Sequence, residues 1–142
     1  MAKTIVCDVI SAEGEIFSGE VELVVAPGAQ GELGIAPNHA PLLTHLVAGP
    51  VRLFENDEEG VFYVSGGIME VQPKRVTILA DMAMRAHDLD EVAAQEARKR
   101  AEEALLDQKS EMQFSTASAQ LAEAAAQLRT IQALRKKMGR PS

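Results

Sequence analysis

Three histidines, His39, His45 and His87, and one cysteine, Cys7, are the side chains here best suited to hold a metal or attack a substrate. A zinc site needs such ligands in closely spaced pairs, and these four stand at no such spacing. Gly28, Gly31 and Gly34 are three residues apart, as if to cradle a phosphate. No Gly-Lys-Ser/Thr follows them and they open no helix, so they read as turn glycines. Tyr63-Val64-Ser65-Gly66-Gly67 lacks the first glycine of a nucleophile elbow. Cys7 falls in an apolar strand with no base nearby and reads as a small packed hydrophobe. The acidic run Glu55–Glu59 has none of the alternation of a calcium loop, and a solvated hairpin tip explains it. No active site assembles. The chain reads as a binding or mechanical part, not as an enzyme.

The elements that must position these residues divide in two near Arg85-Ala86-His87. Residues 1–86 carry twelve acidic and five basic side chains, and so the whole net charge of −7; residues 87–142 are balanced at nine of each. A nucleic-acid binder would show a basic surplus instead. All but one of the glycines and all but one of the prolines lie in the first part. With a single cysteine, no intrachain disulfide can form. No apolar run reaches the ~20 residues that span a bilayer. Met1-Ala2-Lys3-Thr4-Ile5 enters an alternating pattern at once, so neither a signal peptide nor a transit segment is expected.

The first part reads as all-β, with apolar runs at Thr4–Ile10, Glu20–Ala26, Val51–Glu55, Val61–Val64, Ile68–Gln72 and Val76–Ala80 separated by Gly and Pro turns. Val76, Ile78 and Ala80 point one way and Thr77 and Leu79 the other. Closely spaced strands without helices between them predict a sandwich or flattened barrel. The second part predicts an antiparallel two-helix hairpin. Asp88 is the expected N-cap, with Glu91 closing a capping box, and the helix should run to about Gln108. Ala93, Ala97, Ala101 and Ala104 make a stripe of small residues, and Glu96 and Arg100 are spaced for an ion pair. Ser110 to Gln113 offers a second capping box. Phe114, Ala117, Leu121, Ala124, Leu128 and Ile131 then form a coiled-coil-like seam. Its continuation reaches Arg135, a charge, so the tail from Arg135 to Met138 should lie outside it.

One segment stands apart. In Gly31–Thr44, polar and rigid residues crowd between two apolar stretches, and Gly34, Pro37 and Pro41 would fix an exposed loop. That loop suits a partner platform or an elaborate strand connection equally well. Together with Asp8–Glu13, Phe17-Ser18-Gly19 and Tyr63–Val71, it resembles the epsilon subunit of bacterial F-type ATP synthase, in order and spacing along essentially the whole chain. The resemblance implies a sandwich of two five-stranded sheets followed by two helices. It implies a non-catalytic central-stalk subunit that joins the gamma subunit to the c ring and couples ion flow to ATP formation on the alpha/beta hexamer. By residue match, Glu32 would lie in a loop facing the polar loops of the c ring, and His39, Pro41 and Leu42 would face gamma. A solvated turn carboxylate and a local loop-former are the plain alternatives for Glu32 and His39.

The family's helices can also leave the sandwich, extend along gamma and restrain ATP hydrolysis. Arg98, Lys99, Arg100, Arg129, Arg135, Lys136 and Lys137 would then meet an acidic loop on the beta subunits, unless they merely solvate helix faces. Arg129 and Lys136, seven apart, are the favoured pair. Some members bind ATP through Ile/Leu-Asp-x-x-Arg-Ala; here Leu89-Asp90-Glu91-Val92-Ala93-Ala94 has alanine in the arginine's place. The missing guanidinium removes a contact worth ~1.5–3 kcal/mol, so no nucleotide or other cofactor is expected. The rival reading is a free-standing β-sandwich adaptor or nucleotide sensor with a helical arm. Similarity to bacterial members points to the cytoplasmic face of an inner membrane, with attachment only through the complex.

Overall fold

The computed structural model describes residues 3–106 and 111–138, the side chains of residues 111–113 aside. The order is β1 (Ile5–Ser11), β2 (Gly14–Val21), β3 (Leu23–Gly28), β4 (Gly31–Ile35), β5 (Leu42–Leu46), β6 (Gly49–Glu55), β7 (Glu58–Val64), β8 (Gly67–Gln72), β9 (Arg75–Ala80) and β10 (Ala83–Arg85). A single 3₁₀ turn, Ala86–Asp88, leads into α1 (Glu91–Leu106) and α2 (Glu111–Met138). Strands β10-β7-β6-β3-β4 make one layer and β5-β8-β9-β1-β2 the other, joined in the ladder only at Gly28–Leu46 among the described residues. This is the expected β-sandwich with a helical hairpin.

Alternation builds the core. Val76, Ile78 and Ala80 point inward from β9 while Leu79 stands outside, and Met69 and Val71 do the same from β8. They meet Val51, Leu53, Phe62 and Val64 of the opposite layer, together with Ile5, Cys7 and Val9. Each such side chain, fully buried, contributes ~1.5–3 kcal/mol. In β7 the run Val61–Val64 is buried without a break. Phe62 and Val64 face the core, so Val61 and Tyr63 need a second cover, and α2 supplies it by packing across β6 and β7.

Two turns decide the strand register. Asn56 and Asp57 both have positive φ, at 49° and 66°, which is the type I′ hairpin turn that matches strand twist. The acidic run is therefore a hairpin tip, as its composition suggested. Gly67, at φ 147°, must be glycine, because a Cβ there would stand 2.1 Å from the Leu79 carbonyl oxygen.

Several boundaries differ from the sequence reading. The run Glu20–Ala26 is two strands: β2 ends at Val21 and β3 starts at Leu23. The expected loop Gly31–Thr44 is strand at both ends: Gly31–Ile35 is β4, so Glu32 sits in a β-ladder opposite Pro27, and Leu42–Thr44 belongs to β5, paired with β8. The N-cap of α1 is Asp90, not Asp88; its Oδ1 accepts from the Ala93 amide at 3.0 Å, and Asp88 is taken up in the 3₁₀ turn. The buried residues of α1 are Ala94 and Ala101, with Ala97 half-buried and Ala93 and Ala104 outside. Glu96 and Arg100 form no ion pair, whereas Arg98 approaches Glu102 at 3.8 Å. The expected helix end at Gln108 and the cap at Ser110 lie outside the described residues. In α2, Ala117, Ala124, Leu128 and Ile131 keep the seam, but Phe114 is exposed.

Candidate partner-binding surfaces

The β3–β4 hairpin brings Glu32 to the surface beside Arg52 of β6. The Arg52 guanidinium donates to Glu32 Oε1 at 3.1 Å and lies 3.7 Å from the buried Glu59. A carboxylate this exposed gains little stability from its pair. What it gains is direction, since one cation serves two carboxylates and the side chain is tethered across the sheet.

Residues 36–41 form the loop between β4 and β5. Asn38, at φ 67°, donates its amide to the Pro73 carbonyl at 2.8 Å, which ties the loop to the β8–β9 turn. His39 is half-buried and its Nδ1 lies 2.7 Å from the Ala40 carbonyl oxygen, while Pro41 and Leu42 are exposed. Leu42 opens β5, and the strand then lays down a surface that the sequence reading did not assemble. Register places His45, Ile68 and Leu79 side by side across β5, β8 and β9. Ile68 and Leu79 are exposed, Leu79 by 50%, and Leu43 on the same strand as His45 by 69%. Val47 and Met82, also exposed, add to the unburied apolar side chains. The one sequence signal was Leu79, an apolar residue on the face opposite Val76 and Ile78. This face lies on the layer opposite β6 and β7, across which α2 packs.

The hairpin cations have different surroundings. Arg98 is close to Glu102, Arg100 lines a cleft, and Lys99 and Lys136 are exposed. Arg129 reaches back to the sandwich and donates to the Ala48 carbonyl at 3.3 Å. Arg135, 62% exposed, pairs with Glu91 at the start of α1, while Lys136 and Met138 are exposed, so the tail lies outside the apolar seam as expected, with Arg135 tied to the first helix. Lys137 lines a recess under the β6–β7 turn with Glu55, Asp57, Glu58 and Glu59. A cleft of about 560 Å³ between the helices is walled by Ala93, Ala97, Arg100, Gln120, Glu123, Ala124 and Gln127. Its one guanidinium is set against one carboxylate, poor chemistry for a triphosphate. Among the described residues no three His, Cys, Asp or Glu side chains are grouped to hold a metal.

Burial governs two titrating groups. It pushes the Cys7 thiol up to about 12, with the neighbouring Asp8 charge adding to the effect. It likewise pushes the Tyr63 phenol up to about 12, with Glu123 adding and Gln127 and Arg129 opposing. Neither group is poised for chemistry near neutral pH.

Two family profiles cover most of the chain. The ATP synthase delta/epsilon chain beta-sandwich domain matches residues 4–86, and the delta/epsilon long alpha-helix domain matches residues 87–132. The fold is similar to a chain in the OSCP/F1/c-ring of Euglena gracilis mitochondrial ATP synthase, with TM-score 0.81 and 17% identity over 92% of this chain and 81% of that one. It is also similar to a chain in the central stalk/c-ring of Tetrahymena thermophila mitochondrial ATP synthase, with TM-score 0.68 and 13% identity over 91% and 97%.

Proposed function

The chain belongs to the ATP synthase delta/epsilon chain family, and we propose that it is a non-catalytic rotor subunit in the central stalk of a bacterial F-type, proton-translocating ATP synthase. The observation that carries this reading is the unpartnered outer face of β5-β8-β9. An apolar sheet face is stable in water only at a cost, and a large exposed one marks a protein interface. One layer of the sandwich has its cover in α2; the other presents Leu43, Ile68 and Leu79 to solvent. A gamma subunit seated there would bury the row, with His39, Pro41 and Leu42 at its margin. Glu32, steered by Arg52, would face the polar loops of the c ring. The subunit would be peripheral at the cytoplasmic face of the inner membrane; no described helix is long and apolar enough to cross it.

Regulation belongs to the hairpin. Extended along gamma, it would bring Arg98, Lys99, Arg100, Arg129, Arg135 and Lys136 toward the alpha/beta hexamer and restrain ATP hydrolysis. The cleft between α1 and α2 is the place a rival nucleotide sensor could use, though one guanidinium against one carboxylate suits a triphosphate poorly, and the two readings separate in a pull-down. The rotor reading expects stoichiometric co-purification with gamma and alpha/beta subunits. Ile68→Lys combined with Leu79→Lys should strip the subunit from that complex while leaving it folded. Recovery only as an isolated monomer, or unchanged occupancy in the double variant, would reject the rotor reading.

A further inference from the structure

The open layer carries more than its apolar row. On β1, Val6, Asp8 and Ile10 share the outer face with Thr77 and Leu79 of β9, because Cys7 and Val9 take the core. Asp8 is nevertheless only 6% exposed, a carboxylate sunk into an outer sheet face. Its Oδ1 accepts from Ser18 Oγ of β2 at 2.6 Å, and its Oδ2 accepts from Arg75 Nη1 of β9. Desolvation offsets much of the attraction in a buried ion pair, and apolar residues of similar volume often stabilise a fold as well. What this pair adds is a guanidinium of fixed position. Asp8 is held by Ser18 and in turn holds one end of Arg75, whose side chain is still 54% exposed.

Arg75 follows the β8–β9 turn, where the Pro73 carbonyl holds the 36–41 loop through the Asn38 amide. Along the strand it therefore comes between that loop and the apolar row of Ile68 and Leu79. Of the three arginines before residue 87, Arg52 serves Glu32 and Glu59, and Arg85 lies over the Phe62 ring. Arg75 is the one on the open face. We infer that Arg75 is a specificity-determining contact of the rotor interface, its Nε and Nη2 donors taking a carboxylate of the gamma subunit. The planar fork of arginine matches a carboxylate in two hydrogen bonds. A side chain already held by Asp8 loses less freedom on binding. In a region of net charge −7, one fixed cation admits a carboxylate where the surrounding acid repels it, and so sets the register of docking. The inference rests on the rotor reading and names the polar group that orients the partner on the apolar row.

Titration of the full chain against a gamma–alpha/beta complex purified without this subunit tests it. Arg75→Lys keeps the charge beside Asp8 but loses the fork. It should weaken binding by about tenfold or more, with the melting temperature of the free chain held near the parent's. Asp8→Asn keeps an acceptor for Ser18 but unfastens Arg75, and should weaken binding by a smaller factor. With a carboxylate as acceptor, affinity should fall less steeply with added salt for Arg75→Gln than for the parent. Parent affinity in Arg75→Lys, or the parent's salt dependence in Arg75→Gln, overturns the proposal and leaves the rotor reading intact. Failure of the parent chain itself to bind overturns both.

Discussion

At the scale of single residues, the informative side chains are those whose burial is at odds with their chemistry. Asp8 is buried in β1, where it accepts from Ser18 Oγ at 2.6 Å and pairs with Arg75 of β9. Nothing in its sequence neighbourhood marked it, because both partners are distant along the chain. Asp8→Ala should lower stability by ~1–3 kcal/mol in denaturant melts, since it leaves the Ser18 and Arg75 donors unmatched. Cys7 and Tyr63 set a pH dependence. Both are acids whose neutral form is buried, raised to about 12 from ordinary values of 9.0 and 10.0. The unfolded chain therefore releases their protons first as pH rises. Their contribution is whole below pH 9 and is lost on the way to about 12, by up to ~1.4 kcal/mol per pH unit for each group. Stability measured across the alkaline range should begin to fall with Cys7 and steepen as Tyr63 joins. Cys7→Ala should remove the first part of that fall, and an unchanged profile would show that the thiol is not buried as described.

At the scale of elements, legibility followed the clarity of the hydrophobic period. β8 and β9 alternate cleanly, and β7 reads as a continuous apolar run because it is covered on both faces. β2, β4, β5 and β10 were not legible, and Leu42–Thr44 of β5 fell inside the segment read as an exposed loop. Gly14–Val21 and Gly31–Ile35 are rich in glycine and charge, and β10 has only three residues; ladder pairing with β1, β3 and β7 makes them strands. The apolar row of the candidate surface escaped for the same reason, since cross-strand neighbours are set by register and not by sequence distance. Both helices are present, yet the cap of α1 is Asp90 and not Asp88, and its buried residues are Ala94 and Ala101, with Ala93 and Ala104 outside. These contacts bear on autonomy. A chain ending at Ala86 keeps the core, but it uncovers Val61 and Tyr63. It should retain a β-type circular dichroism spectrum and a cooperative melt, weakened by up to ~3–6 kcal/mol for the two exposed side chains. A molten or helical spectrum would show that the sandwich depends on α2 to fold.

At the scale of the whole molecule, the two layers of the sandwich differ: one is covered by the chain's own helix and the other leaves Leu43, Ile68 and Leu79 exposed. If the hairpin restrains ATP hydrolysis, deleting residues 87–142 should raise the ATPase rate of a reconstituted complex at matched occupancy and spare synthesis. Charge reversal probes how the restraint works, but the cations are not equivalent. Arg129 and Arg135 are engaged in the docked state, with Ala48 and Glu91. Arg129→Glu or Arg135→Glu would thus ease undocking and at the same time weaken the landing on acidic partner surface, two effects that oppose each other in the measured rate. Lys136 is exposed and makes no hydrogen bond or ion pair among the described residues. Lys136→Glu therefore changes only the extended state. It should raise ATP hydrolysis toward the truncated level while leaving undocking of the isolated chain, read by thiol labelling of an Ala126→Cys variant whose position is buried in the docked state, unaltered. Added salt should act in the same direction in the parent complex, because exposed attractions are screened beyond ~10 Å at 0.1 M ionic strength. A Lys136→Glu complex with the parent's rate, at low salt, would mean that this lysine does no more than solvate its helix.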